Sequence, residues 1–209
     1  VNTTAAVKAL TDVVVTSSNA KLVIDSFPQD EKLIFGPDKN LGNYINSVTG
    51  REMLLWNGGC HVHGQFSLEK ILALKAEHPS AKILVHPECP APIQKVADVI
   101  GSTAGLLNFA IKDEATEFIV ATESGILHKT KEACPDKLFI PAPPEATETV
   151  GCSCNECEFM KLNTLKKLYN TLKYEWPTIE VDPVIAEKAV KPIDKMLEIS
   201  KQTLPPPSL

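Results

Sequence analysis

Three short stretches carry residue types able to do chemistry. Cys60-His61-Val62-His63 follows the loop Asn57-Gly58-Gly59 and sets a thiol one and three residues before imidazoles. His86-Pro87-Glu88-Cys89 closes an apolar run, and Pro87 stiffens the turn between an imidazole and a carboxylate. Cys152-Ser153-Cys154-Asn155-Glu156-Cys157 puts three thiols within six residues, a density that suits iron–sulfur or zinc ligation. A local zinc site wants a fourth ligand, yet no Cys or His follows Cys157. The three stretches are expected to meet at one reactive centre, an iron–sulfur cluster.

Each candidate also has a plainer role. His63 is the better functional imidazole, and His61 reads as a surface or capping residue. Glu88 reads as a general base whose pKa a desolvated cleft would raise. It reads equally as a first-turn carboxylate favoured by the dipole of a helix near Pro92. Ser17 and Ser102-Thr103 are placed to donate hydroxyl and backbone N–H bonds to carboxylates or phosphate, or to cap helices. Cys134, before Pro135, reads as a small buried hydrophobe; His78 and His128 read as solvated.

The elements that must position these groups alternate. Apolar, β-branched runs predict strands at Val13–Thr16, Lys32–Phe35, Glu52–Trp56, Ala81–Val85, Val99–Ile100, Glu117–Ala121 and Lys137–Ile140. Helices are expected between them, with Asp38 capping one through Lys39–Val48 and Ser67 capping another through Lys75. Short strands alternating with amphipathic helices imply a parallel α/β fold, with ligands gathered at the carboxyl ends of strands. Asn2, Ser17, Asp38, Cys60, His86, Glu88, Ser102, Thr103 and Glu123 all fall at such ends.

The two halves also resemble each other. An offset of 86 residues carries Thr11-Asp12-Val13-Val14 onto Ala97-Asp98-Val99-Ile100, and an offset of 85 carries Ile34-Phe35 onto Ile119-Val120. Duplicated α/β domains are expected over 1–59 and 60–145. After Pro141-Ala142-Pro143-Pro144 the character changes: a Lys- and Leu-rich amphipathic helix is predicted over 158–173 and a final one over 183–200.

Composition bounds the partners. The 209 residues are 44% hydrophobic and 22% charged, with net charge −5 and no Lys/Arg block, which argues against nucleic acid. No apolar run approaches the ~20 residues of a membrane helix, and no signal peptide is expected. Six cysteines in such a chain favour metal or redox chemistry over a disulfide framework. Val1-Asn2-Thr3-Thr4 lacks an initiator Met and reads like the exit of a strand into a helix, so an N-terminal part is expected to precede it.

Taken together, these motifs resemble a known family. Val1-Asn2-Thr3-Thr4-Ala5, Thr16-Ser17-Ser18-Asn19-Ala20, Gly36-Pro37-Asp38-Lys39-Asn40-Leu41, Cys60-His61-Val62-His63, His86-Pro87-Glu88-Cys89 and Cys157-Glu158-Phe159-Met160 occur in the order seen in the quinolinate synthases. The resemblance runs from residue 1 to about residue 200.

The resemblance implies repeated three-layer α/β/α domains, arranged pseudo-threefold around a central cavity that holds a 4Fe–4S cluster, plus C-terminal helices. Residues 1–59 and 60–145 would be the second and third domains, and 146–209 would pack on a first domain that this chain lacks. It also implies a cytoplasmic transferase of NAD biosynthesis that condenses iminoaspartate with dihydroxyacetone phosphate to quinolinate. L-aspartate oxidase or dehydrogenase would act upstream, without nucleic acid or membrane.

Carried over by residue, Cys60 and Cys157 ligate the cluster, whose third cysteine is outside this chain. Glu88 is the acid/base, and His63 and His86 are active-site imidazoles. Asn2, Ser17, His86, Glu88, Ser102 and Thr103 bind substrate. Cys152 and Cys154 are redox-active or structural. Gly64-Gln65 departs from the more polar sequence expected after His63. The contrasting reading is a non-catalytic zinc or redox-sensing protein built on Cys152, Cys154 and Cys157.

Overall fold

Helix starts fall where hydroxyl or carboxyl side chains can accept the N–H groups that a first turn leaves open. The computed structural model describes residues 3–145 and 155–201. The helices are α1 (Ala5–Lys8), α2 (Ala20–Asp25), α3 (Lys39–Thr49), α4 (Leu68–Glu77), α5 (Ala91–Gln94), α6 (Thr103–Lys112), α7 (Ile126–Ala133), α8 (Glu158–Lys161), α9 (Leu165–Tyr174) and α10 (Pro183–Lys201). The strands are β1 (Ile34–Phe35), β2 (Leu54–Leu55), β3 (Lys82–Val85), β4 (Val99–Ile100), β5 (Glu117–Ala121) and β6 (Leu138–Pro141). Thr4, Asp38, Ser67, Ser102 and Thr164 each accept a backbone N–H from the turn that follows. Gly50 ends α3 at φ 69°, a left-handed conformation that glycine adopts without a Cβ clash.

The chain divides into two compact units, Val1–Glu31 with Asn163–Leu209, and Lys32–Leu162. In the first, α1 and α2 lie against α10. The run Val13–Thr16, expected as a strand, forms none; buried Val14 instead donates its N–H to the Pro192 carbonyl of α10 at 3.2 Å. Strand propensity yields here to a partner distant in sequence. The amphipathic stretch expected as one helix over 158–173 is two, because Thr164 caps a new start at α9. Leu165, Leu168 and Leu172 of α9 are exposed.

The second unit holds two parallel sheets. β1 and β2 pair Ile34 with Leu54 and Phe35 with Leu55 across the α3 crossover. Gly36 lies so near β2 that an added Cβ would stand 2.5 Å from the Trp56 Cβ, so only glycine fits this approach. The larger sheet has the order β4-β3-β5-β6, all parallel.

Alternate residues of its strands face opposite sides. Ile83, Val85, Ile119 and Ala121 join Ile71 of α4 and Ile93 of α5 in one core. Leu84, Phe118 and Val120 join Leu106 and Ala110 of α6 and Ile126 of α7 in the other. Helices thus cover both faces, giving the three-layer α/β/α arrangement with a parallel sheet that the alternating pattern predicts.

Phe118 is fully buried in β5, its ring 5.3 Å from that of Phe139 in β6. Phe118→Ala is expected to cost about 3–5 kcal/mol through lost burial and the cavity left behind. Urea unfolding measures this as a lower midpoint with an unchanged slope.

The connection from β3 runs to β4, whereas that from β5 runs the other way, to β6. The carboxyl ends of β3 and β5 therefore flank a topological switch point, where α/β folds leave a crevice for ligands.

Candidate functional site

β3 ends immediately before His86-Pro87-Glu88, and β5 ends immediately before Thr122-Glu123. The two ends are locked together past the last strand residues, since His86 N–H donates to the Ala121 carbonyl at 3.1 Å. His86 and Thr122 are both buried.

The third participant, the cysteine loop, is carried in by β2 and fixed by the segment after β1. Asp38 accepts the N–H groups of Asn40 (2.6 Å) and Leu41 (3.0 Å) on Oδ1, and that of Cys60 (2.6 Å) on Oδ2. Asn40 Nδ2 donates to the Glu88 carbonyl at 3.0 Å. The residues that start α3 thus hold the backbones of both Cys60 and Glu88. The sequence identified Asp38 as a helix cap at a strand end; its hold on Cys60 needed the fold. Asp38→Ala removes the acceptor for three N–H groups and is expected to cost about 2 kcal/mol. Asp38→Asn, which keeps one carbonyl acceptor, should cost less when both are compared by thermal unfolding.

A short 3-10 turn over His63–Gln65 follows Cys60 and buries the His63 ring. Nε2 of His63 lies 3.1 Å from the Thr122 hydroxyl, and its Nδ1 lies 3.2 Å from Glu88 Oε2. Nδ1 is buried without a directed hydrogen bond, so its contact with the carboxylate is one of charge and proximity. The ring stacks on His86, with centroids 4.5 Å apart and planes at 19°. Donor atoms of Cys60, His63 and Glu88 all lie within 4.8 Å of one another.

Such packing sets the protonation states. Burial works against the His63 cation, but the adjoining Cys60 thiol and Glu88 carboxylate outweigh it and raise its pKa to about 9. Burial, with the His63 charge beside it, pushes His86 down to about 4, so the stacked pair carries one proton fewer than two cations would. Burial opposes ionisation of Cys60 too, yet the close approach and charge of His63 leave its thiol below the ordinary value. Glu88 departs from the expected rise: burial pushes it up, but the adjoining His63 and the two histidines' charges bring it below its usual value. In the free site Glu88 is therefore a proton acceptor. Cys89 is the opposite case, fully buried with its thiol pushed far up by desolvation.

Of the other expected site residues, Cys157 lies in this same unit. Its N–H donates to Glu123 Oε1 at 3.3 Å, one residue beyond the Thr122 that holds His63. Phe159, two residues on, meets the His61 ring edge to face at 5.4 Å. Residues after β5 therefore touch the cysteine loop on one side and the Cys157 segment on the other. Thr122 received no role from the sequence, and Glu123 only a place among the strand ends, although a polar pair directly after an apolar strand was the available signal.

Ser102 caps α6 at the end of β4, with Thr103 as the first helical residue, on the strand that pairs with β3. Ser17 lies in the turn before α2 in the first unit. Asn2, Cys152 and Cys154 lie outside the described residues. Cys134 is buried, as expected. His78 is not simply solvated, since its Nδ1 lies 3.3 Å from Glu117 Oε2.

Fold and site together define a parallel α/β protein with a thiol–imidazole–carboxylate group, able to hold a metal ion, at its switch point. Residues 1–198 match the family model described as Quinolinate synthetase A protein. The chain belongs to that family. It is 47% identical over 200 residues to a quinolinate synthase of a Synechococcus species, covering 96% of this chain and 62% of that protein. The corresponding protein of Chloroherpeton thalassium is 47% identical over 201 residues, with the same coverage. One from a Cyanothece species is 48% identical over 200 residues, 96% of this chain and 61% of the relative. The chain thus spans about three-fifths of the length of the curated relatives it matches.

Proposed function

We propose that this chain supplies the larger part of a quinolinate synthase, which condenses iminoaspartate with dihydroxyacetone phosphate in NAD biosynthesis. The observation that carries this reading is the meeting of Cys60, His63, His86 and Glu88 at the switch point, in a chain of that family.

The donor set suits a 4Fe–4S cluster. Cys60 and Cys157 are free, partly exposed thiols, and the Cys60 thiol is favoured as thiolate by His63, the form that binds iron. These two cysteines would hold it, with a third ligand from outside the 209 residues. When bound, such a cluster offers an open iron as Lewis acid toward a substrate carboxylate or hydroxyl.

This chain's own groups do the proton work. Glu88 Oε2 takes a proton from the reacting carbon or hydroxyl and returns it to a leaving hydroxyl. His63 supplies the compensating positive charge at 3.2 Å and is kept in orientation by Thr122. His86 stays neutral and can orient an intermediate by hydrogen bonding. Asn2, Ser17, Ser102 and Thr103 contribute to substrate binding, the last two from the end of β4.

Residues 1–59 and 60–145 would be two members of a threefold repeat around the cavity. In support, an offset of 85 residues carries β1, α3 and β2 onto β5, α7 and β6. Residues 146–209 would pack on the family's first domain, for which the exposed leucines of α9 offer an apolar face. L-aspartate oxidase or dehydrogenase would supply iminoaspartate. Among the described residues no helix is long and apolar enough to cross a membrane, in keeping with the proposed cytoplasmic setting.

The test is product formation. The protein combining this chain with the family's first domain, reconstituted anaerobically with iron and sulfide, is expected to form quinolinate from the two substrates. A cluster-bearing preparation that forms none overturns the reading.

A further inference from the structure

We propose that Cys60, His63 and Glu88 form a three-ligand site for a single ion of the Zn2+ class, with a fourth position open to water. The site uses the same Cys60, His63 and Glu88 as the enzymatic reading above and concerns what they hold when no cluster is bound.

The geometry is that of a metal site with its ligands nearly in place. The three donor atoms lie within 4.8 Å of one another, and His63 Nδ1 is already 3.2 Å from Glu88 Oε2. Two donors bound tetrahedrally to zinc at ~2.0–2.3 Å stand about 3.3–3.8 Å apart, so the widest separation must close by only about an ångström. His63 is 7% exposed, and its buried Nδ1 has no directed hydrogen bond among the described residues. Its other nitrogen meets the Thr122 hydroxyl at 3.1 Å. A ligating histidine is built this way: one nitrogen is anchored by an outer partner, which turns the other toward the metal.

Chemistry selects the ion. A thiolate and an imidazole suit zinc, and one carboxylate completes a three-ligand set of the kind that leaves a position open. Thiolate, neutral imidazole and carboxylate together balance a doubly charged cation, so a buried group of like and unlike charges becomes a neutral complex. Binding displaces the Nδ1 proton of His63 and ionises Cys60. Since Cys60 serves only one centre at a time, zinc held here excludes a cluster from the same cysteine.

Cobalt(II) is the probe, added anaerobically to the 209-residue chain with Cys152, Cys154 and Cys157 changed to serine. One equivalent is expected to bind, with a near-ultraviolet sulfur-to-cobalt charge-transfer band and intensified visible bands of a four-coordinate ion. Zn2+ should bleach both stoichiometrically. Cys60→Ser is expected to remove the charge-transfer band, Glu88→Ala to weaken binding at least tenfold, and Thr122→Val to weaken it about tenfold by freeing the His63 ring. Circular dichroism confirms that each variant is folded. A folded chain without the band, or the same band and affinity after Cys60→Ser, overturns the proposal. Neither result bears on quinolinate formation, which is assayed separately.

Discussion

Cys60→Ser is expected to abolish cluster retention and turnover together, whereas Cys89→Ser retains the cluster. Both cysteines sit at the same switch point, so proximity alone does not separate them. Cys60 is partly exposed on a loop, its N–H pinned by Asp38 and its thiol favoured as thiolate by His63. Cys89 is fully buried, its Sγ 3.4 Å from the Ala121 carbonyl and its ionisation opposed by desolvation. A thiol in that setting behaves as a small hydrophobe. Serine at position 60 keeps the loop but offers a far weaker iron ligand. Iron and sulfide counts with visible absorption, on anaerobic protein that includes the family's first domain, read the result. Equal cluster loss in both variants would refute the assignment of Cys60.

Glu88→Gln is expected to keep the cluster and lower kcat by roughly 10²–10⁴-fold, the usual contribution of a positioned acid/base. That corresponds to about 3–5 kcal/mol of barrier. The substitution is nearly isosteric, and the Asn40 bond goes to the Glu88 backbone carbonyl, so the loop should stay in place. What is lost is the ionised oxygen beside His63, and with it the ability to accept a proton. Rates near those of the unchanged protein, with a full complement of iron, would rule out the acid/base role.

Much of the fold was legible because it is local. Asp38, Ser67 and Ser102 cap helices that begin one residue later, since a short polar side chain can reach only its own first turn. Apolar runs at 83–85 and 118–121 became the cores of the two central strands of a sheet covered on both faces. Where the same logic failed, at Val13–Thr16, the backbone found a partner 178 residues away in α10, which no window of neighbouring residues contains.

The site divides along the same line. Sequence alone determined which groups are available, Cys60, His63, His86, Glu88 and Cys157, and that strand ends would carry Cys60, His86 and Glu88, because residue type and periodicity are properties of neighbouring residues. Tertiary structure decided how they act. The Thr122 bond to His63 spans 59 residues and the Asp38 bond to Cys60 spans 22, and both arise only when parallel strands come into register. That packing places His63 between a thiol and a carboxylate, and so reverses the expected shift of Glu88 from a raised to a lowered pKa. A charge's environment is set by what folds against it, and the strongest partner here, His63, arrives from a different loop.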